Sequence, residues 1–394
     1  MSTPRQRLDR SALVAAAVEA AGLDDFGEPT WQEGLDRLLE DLRAEARLHE
    51  LGVEIAAGEV LEYLTNRLGI VAYRKDHPRL AAAPIDRPIV IVGQPRTGTT
   101  ILYDLLAQDP GLRVPLTWEV DAPMPPPDPA TRDADPRIEA IQARLDMADA
   151  LVPGLLAFHP MGALLAQECV RITASDFRSM IFTTQYRVPR YERWLLDEAD
   201  LAPAYRWHRQ YLQHLQANQP PQQWLVKSPA HMWHLGALMG EYPDATVVLT
   251  HRDPLKVIAS VSALMAVLRR MASDDVSLPE IAAEFAHDVF VGLDRLVAAC
   301  ASGVLPAGQV VNVRFESFVE DPMVTIESVY AQLDRDISDG TRQKMQSFLD
   351  SHPGDGGGSG SRYSFADTGL DADELRERSA GYQARFDVRS EPLR

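Results

Sequence analysis

Residues 90–100 read VIVGQPRTGTT, and an apolar helical pattern follows them. This order predicts a buried strand, a tight glycine loop and a helix start, an arrangement whose backbone N–H groups bind phosphate. The spacing of Gly93 and Gly98 matches a P-loop, but Thr99 stands where that loop has a lysine. The cation lies inside the loop instead, at Arg96. This exchange disfavours ATP or GTP hydrolysis and favours a nucleotide that donates a group other than its γ-phosphate.

The composition is that of a globular protein with an acidic surface. The chain has 394 residues, 45% of them hydrophobic, and a formal net charge of −18. Its length suits one large α/β domain with appendages or two domains. The charge argues against a nucleic-acid binder, because phosphate backbones select basic surfaces. An anionic nucleotide therefore requires a locally basic pocket.

The cysteines and the hydropathy bound the cellular setting. Cys169 and Cys300 form neither a metal-binding pattern nor a disulfide framework, which favours the reducing cytoplasm. No apolar run reaches the length of a membrane span, so we expect no integral membrane segment. A homo-oligomer is compatible with the sequence.

The periodicity of the chain changes near residue 86. We expect residues 1–85 to form a helical N-terminal region, with a capping box at residues 30–33 and apolar stripes that serve as packing faces. Residues 86–394 contain four β-branched runs, each followed by helical segments, which predicts parallel βαβ units. These runs lie at residues 88–93, 224–227, 246–250 and 310–315, and the helical segments include 99–108, 230–240, 255–272 and 278–300. The predicted fold class is α/β, with a P-loop-type parallel sheet flanked by helices.

Two segments interrupt this α/β pattern. Residues 113–220 begin with a proline-rich connector and continue as an aromatic, mostly helical stretch, which we interpret as a cap insertion. Residues 354–361 are rich in glycine and serine and predict a flexible loop, either a mobile lid or a plain connector.

A second polar motif follows the third predicted strand. In residues 250–254, THRDP, Asp253 is a natural N-cap and Pro254 a natural first helical residue. Arg252 supplies a forked cation, and Ser260 supplies a hydroxyl eight residues later. Together they could hold a second phosphate, because a guanidinium binds phosphate with two hydrogen bonds.

The two motifs together resemble those of sulfotransferases that use 3′-phosphoadenosine 5′-phosphosulfate (PAPS). Residues 95–100, PRTGTT, resemble the loop that binds the 5′-phosphosulfate, and Arg252 with Ser260 resembles the 3′-phosphate motif. The chain is most similar to the bacterial branch with an arginine in this loop, which is also similar to tyrosylprotein sulfotransferases at these motifs. The resemblance implies transfer of a sulfuryl group to an acceptor hydroxyl, and no metal.

The resemblance also implies roles for the loop and for a strand-end lysine. Arg96 and the N–H groups of Thr97, Gly98, Thr99 and Thr100 would stabilise charge on the phosphosulfate. Lys227, at the end of the second long predicted strand, would contact the bridging oxygen as a catalytic cation or acid. The alternative for Lys227 is an ordinary solvated lysine.

The general base stays open at this stage. Glu119 matches the region of a glutamate that removes the acceptor proton in tyrosylprotein sulfotransferases, and it can act so only if burial raises its pKa. A solvated loop glutamate is the alternative. His159 and His231 are further candidates, whereas we expect His251 to pack or to form hydrogen bonds at its strand end.

Two positions depart from the family pattern. Phe315 stands where relatives have a tyrosine, so its ring can pack but offers no hydroxyl. Arg362 and Tyr363, after the glycine-rich loop, are candidates to close over the nucleotide. Relatives carry more basic residues there, which puts the share of this loop in 3′-phosphate binding in doubt.

The sequence thus predicts a PAPS-dependent sulfotransferase whose acceptor is a small molecule or lipid, because the cap is apolar and aromatic. Two alternatives remain. A P-loop kinase would need the Walker lysine and an aspartate at a strand end for Mg²⁺, and we find neither. A non-catalytic nucleotide-binding module would not need Lys227 and Glu119.

Overall fold

A computed structural model describes residues 7–152, 161–351 and 364–393. The chain divides into two compact units. The first, the helical unit, contains Met1–Ile85, Pro115–Pro221 and Val267–Val276. The second, the sheet unit, contains Asp86–Val114, Gln222–Ala266 and Ser277–Arg394. The predicted loop at 354–361 and the candidates His159, Arg362 and Tyr363 lie outside the described residues.

The sheet unit is built on five parallel strands, which are β1 Ile89–Gly93, β2 Leu112–Arg113, β3 Gln223–Lys227, β4 Thr246–His251 and β5 Val310–Arg314. Their order in the sheet is β2-β3-β1-β4-β5. β1 is central and wholly buried, as its continuous Ile/Val run predicts for a parallel strand covered on both faces. The register pairs Gly93 with Thr250 and Ile91 with Lys227. The two predicted motifs and Lys227 therefore lie at the carboxyl edge of the sheet, where open α/β sheets bind ligands.

Helices follow the strands in the predicted alternation. They are Thr99–Leu106, Leu235–Glu241, Pro254–Arg269, Leu278–Ser302, Phe315–Glu320, Pro322–Gln332, Asp339–Ser351 and Ala372–Phe386. Within Leu278–Ser302 the predicted apolar face is buried, and the Ser277 hydroxyl caps its first turn. The predicted α/β class is confirmed.

One predicted helix of this unit begins differently. Residues 230–240 were expected to be one helix, but Pro229–His234 is a 3₁₀ turn and the α-helix starts at Leu235. The Ser228 hydroxyl accepts a hydrogen bond from the Ala230 N–H at 3.2 Å, which fixes a tight turn directly after β3.

The helical unit contains no strand in its described residues. Its helices are Arg10–Ala21, Trp31–Ala44, Glu50–Asp76, Thr117–Asp121, Pro136–Leu151, Cys169–Thr173, Ile181–Gln185, Pro189–Asp197 and Ala202–Leu215. The apolar stripe of Trp31–Ala44 is buried, as predicted. The prediction of a capping box at residues 30–33 is wrong. Thr30 has a helical backbone, and its hydroxyl donates a hydrogen bond to Asp176 at 2.7 Å instead. Across the described ranges, no helix combines the length and apolar character needed to cross a bilayer.

Candidate active site

The loop between β1 and the helix Thr99–Leu106 is held by two glycines. A Cβ atom on Gly93 would lie 1.9 Å from the Thr250 hydroxyl, so only glycine lets β1 end against β4 here. Gly98 has a φ of +87°, and a Cβ atom there would lie 3.0 Å from the Phe315 ring. The fold therefore requires glycine at both positions of the P-loop spacing for steric reasons.

The side chain of Thr97 stabilises this loop from inside. Its hydroxyl donates to the Gln94 carbonyl at 2.6 Å and lies 2.6 Å from the Thr250 hydroxyl. The loop then turns through Arg96, whose φ of +68° is rare for a residue other than glycine. No side chain of the described residues caps the helix that starts at Thr99. Its first N–H groups, rather than the Thr97 hydroxyl, are therefore the contacts that the loop offers to an anion.

The two predicted phosphate motifs touch each other directly. Arg96 Nε donates a hydrogen bond to Ser260 Oγ at 3.1 Å, across 164 residues of sequence. Arg252 Nη1 donates to the backbone carbonyl of Arg96 at 2.9 Å, across 156 residues. The fold therefore brings both cations and the Ser260 hydroxyl into one basic cluster.

Arg252 makes three further contacts. Its guanidinium lies 3.9 Å from the centre of the Phe315 ring. Phe315, which replaces the tyrosine of the family pattern, thus still packs its ring against a neighbour. Its Nε and Nη2 atoms donate to the two carboxylate oxygens of Glu391 at 2.8 and 2.9 Å. Next to it, Asp253 Oδ1 accepts from the Leu255 N–H at 3.0 Å and caps the helix Pro254–Arg269, as predicted.

Lys227 ends β3 and is only 1% exposed. Its Nζ atom donates to the Thr100 hydroxyl at 3.2 Å and lies 5.8 Å from the centre of the Tyr103 ring. The alternative of a solvated lysine is therefore wrong. A buried ammonium group next to the first turn of the loop helix adds a third cation to the cluster of Arg96 and Arg252.

Two histidines of the sheet unit, His231 and His251, are poor proton acceptors. Burial lowers the pKa of His231 to about 3, so its ring stays neutral and weakly basic. His251 lies 2.9 Å from the Tyr382 hydroxyl and 2.8 Å from Asn312 Oδ1, and burial lowers its pKa to about 4. His251 thus forms hydrogen bonds at its strand end, as expected.

Glu119 lies in the helical unit, within the short helix Thr117–Asp121. It is 0% exposed. Its Oε1 atom accepts from Arg132 Nε at 2.8 Å, and its Oε2 atom accepts from the Leu116 N–H at 2.9 Å. The alternative of a solvated loop glutamate is wrong. Each carboxylate oxygen of Glu119 therefore accepts a hydrogen bond from a neighbouring group.

Two partners of the cluster, Glu391 and Arg376, carry no signal in the sequence. Glu391 is 139 residues from Arg252, and no spacing or motif connects the two. Arg376, which donates to Asp253 Oδ1 at 2.6 Å, has no sequence signal either. In the described ranges, no group of three or more His, Cys, Asp or Glu side chains could hold a metal ion.

Comparisons with known proteins agree with the site. A family model described as "Sulfotransferase family" matches residues 88–339. The solved structure of sulfotransferase STF9 from Mycobacterium avium is similar, with a TM-score of 0.87 and 28% identity, and the match covers 97% of each chain. Sulfotransferase STF1 from Mycobacterium tuberculosis H37Rv is 31% identical, with a TM-score of 0.83, covering 95% of this chain and 98% of that one. Comparison with curated proteins finds no match.

Proposed function

Because this chain belongs to the sulfotransferase family, we propose that it takes its sulfuryl group from PAPS. We propose that the acceptor of this group is a hydroxyl of a small molecule or lipid. The products would be 3′-phosphoadenosine 5′-phosphate (PAP) and a sulfate ester. Sulfotransferase activity follows from the family, whereas the donor and the acceptor class are our proposal.

The contact between the two phosphate motifs carries this proposal. PAPS has an anionic group at each end of its ribose, and the site offers an anion-binding element for each. The loop around Arg96 suits the 5′-phosphosulfate, and Arg252 with Ser260 suits the 3′-phosphate. Because Arg96 bonds both to Ser260 and, through its carbonyl, to Arg252, the two elements are held together. ATP has no 3′-phosphate and would leave Arg252 without its ligand.

Lys227 supports a catalytic rather than a binding role for the cluster. Its ammonium group is buried and bonded to Thr100, in the first turn of the helix that follows the loop. A cation fixed there stabilises negative charge as it develops on the oxygen that leaves with the nucleotide. Arg96 would stabilise the oxygens of the group in transfer.

For the acceptor side we propose Glu119 as the general base. It is the carboxylate that the resemblance selects, and it is buried and bonded to Arg132. Release of Arg132 would free the Oε1 atom of Glu119 to accept the proton of the acceptor hydroxyl. The low pKa of His231 supports Glu119 over that histidine. We also propose a cytoplasmic location, since Cys169 and Cys300 are both thiols.

The donor is tested by calorimetric titration with PAP, with ATP–Mg²⁺ as the comparison ligand. We expect PAP to bind the wild type tightly and Arg252→Ala about 10- to 100-fold more weakly, because a charge-assisted bidentate contact is lost. Lys344→Ala removes the same charge from an exposed position and should bind PAP like the wild type. A preference of the wild type for ATP–Mg²⁺ would contradict the proposal.

A further inference from the structure

The last residues described, 388–393, follow the helix Ala372–Phe386 and bring Glu391 onto Arg252. We propose that the Glu391 carboxylate is an internal competitor of the 3′-phosphate for Arg252, so that binding of a 3′-phosphorylated nucleotide displaces this side chain. The inference rests on the proposed function, in which Arg252 binds the 3′-phosphate.

The geometry of the pair is that of phosphate recognition. Glu391 uses both oxygens, and Arg252 presents Nε and Nη2 as a fork at 2.8 and 2.9 Å. Guanidinium groups bind phosphate with the same two parallel N–H donors. The carboxylate therefore satisfies the edge of Arg252 that a phosphate would take.

Arg252 does not need Glu391 to keep its orientation. The Arg96 carbonyl holds Nη1 at 2.9 Å, and the Phe315 ring lies against the guanidinium at 3.9 Å. Neither contact involves the Glu391 carboxylate. For this reason we assign Glu391 to competition rather than to the orientation of Arg252.

The backbone of the segment is anchored without the Glu391 side chain. The Glu391 N–H donates to Asp253 Oδ2 at 2.6 Å, and its carbonyl accepts from Arg376 Nη2 at 3.0 Å. Arg376 is itself bonded to Asp253 at 2.6 Å. The side chain can thus swing away while its backbone stays in place, and a change of this side chain alone leaves the anchor intact.

The pair is also accessible enough to open. The side chains of Arg252 and Glu391 are 15% and 31% exposed, so water can take over the carboxylate when it leaves. The free energy of breaking the Arg252–Glu391 ion pair opposes only the binding of ligands that contact Arg252. Glu391 therefore weakens the binding of PAPS and of the product PAP, and speeds the release of PAP, but leaves nucleotides without a 3′-phosphate unaffected.

The test compares Glu391→Gln with Glu377→Gln, which removes the same charge from an exposed position of the neighbouring helix. Each variant and the wild type are titrated with PAP and with adenosine 5′-phosphate, which lacks the 3′-phosphate. We expect Glu391→Gln to bind PAP about three- to fivefold more tightly, as for loss of a partly exposed ion pair. Its affinity for adenosine 5′-phosphate, and both affinities of Glu377→Gln, should equal those of the wild type.

Two results would overturn the inference. Weaker binding of PAP by both Glu391→Gln and Glu391→Ala would mean that Glu391 orients Arg252. Unchanged binding of PAP would mean that the ion pair does not compete. Failure of the wild type to bind PAP is a different result, because it would refute the proposed donor itself. Thermal unfolding of each variant checks that the fold is kept.

Discussion

At the scale of single residues, burial separates the functional candidates from surface charges. Lys227 is covered by the sheet and the loop helix, and its ammonium group bonds to Thr100. The sequence places a lysine at a strand end but cannot show whether the strand end is covered. The same limit holds for Glu119, whose burial depends on the packing of a segment with no motif of its own.

Replacing Lys227 by methionine should separate chemistry from binding. Methionine fills the same space without the charge, so we expect turnover of PAPS to fall by about 10²- to 10³-fold, as for loss of one transition-state contact. PAP affinity should change by less than about tenfold, since Arg96, Arg252 and the loop remain. Release of labelled sulfate from PAPS, with water as the acceptor, measures the first quantity and calorimetry the second.

The control for this pair of measurements is Lys344→Met, which loses an exposed charge. Equal turnover of Lys227→Met and the wild type would remove Lys227 from the catalytic set. Loss of PAP binding together with turnover would assign it to binding instead.

At the scale of elements, local capping patterns predicted some helix starts and missed others. Asp253 and Pro254 begin their helix as the sequence predicts, because the Asp253 carboxylate caps a turn within its own segment. Thr30 fails as a cap because Asp176, 146 residues away, takes its hydroxyl. A tertiary partner of this kind leaves no local signal. The 3₁₀ turn after β3 has a local cause instead, the hydrogen bond from the Ala230 N–H to the Ser228 hydroxyl.

The short helix Thr117–Asp121 carries a prediction for the acceptor side. Glu119→Gln keeps an oxygen for the Leu116 N–H but gives up the carboxylate that would take a proton. We expect transfer to an alcohol acceptor to fall by about 10²- to 10⁴-fold, the usual contribution of a general base. PAP affinity should stay at the wild-type value.

The measurement is transfer of labelled sulfate from PAPS to the acceptor that a screen of alcohols identifies. Unaltered transfer by Glu119→Gln would leave Glu119 with a purely structural role, as the partner of Arg132 and Leu116. A loss of thermal stability without a loss of transfer in the folded fraction would lead to the same conclusion.

At the scale of the whole molecule, four strands of the parallel sheet were predictable from the sequence, and the edge strand β2 was not. The runs that form β1, β3 and β4 are almost wholly buried, whereas β5, at the edge of the sheet, alternates between buried and more exposed residues. β2 has only the two residues Leu112 and Arg113, which are too few for any periodicity. The pairing of Glu391 with Arg252 could not be predicted, because it joins two segments 139 residues apart that share no motif. The predicted domain boundaries stay a prediction.

Buried histidines make the stability of the molecule depend on pH. Burial lowers the pKa to about 4 for His214 and His251, and to about 3 for His231 and His234. The unfolded chain binds these protons near the ordinary pKa of about 6.5, whereas the native state does not. The histidines therefore lower the free energy of unfolding as the pH falls from about 6.5 towards 4. Buried carboxylates whose pKa is raised, Glu59 and Asp176, act in the opposite direction.

The variant His251→Asn isolates one of these contributions. It should be less stable than the wild type at pH 7, because the bonds to Tyr382 and Asn312 change. The difference in the free energy of unfolding between the wild type and the variant should narrow by up to about 3 kcal/mol on acidification to pH 4. The reason is that the variant has no imidazole at this position to protonate on unfolding. Urea unfolding at several pH values gives both free energies. A difference that stays constant with pH would mean that His251 is protonated equally in the two states.

The bond from Arg252 to the backbone carbonyl of Arg96 has a consequence for inhibitor chemistry. The loop around Arg96 and the pair of Arg252 and Ser260 are the two halves of one hydrogen-bonded unit. A compound with a single anionic group can bind only one of these halves. On the proposed function, two anionic fragments joined at the separation of the two anionic groups of PAPS would bind both halves at once. The separation of the two charges is therefore the dimension that a tight inhibitor of this protein has to reproduce, ahead of the base or sugar that carries them.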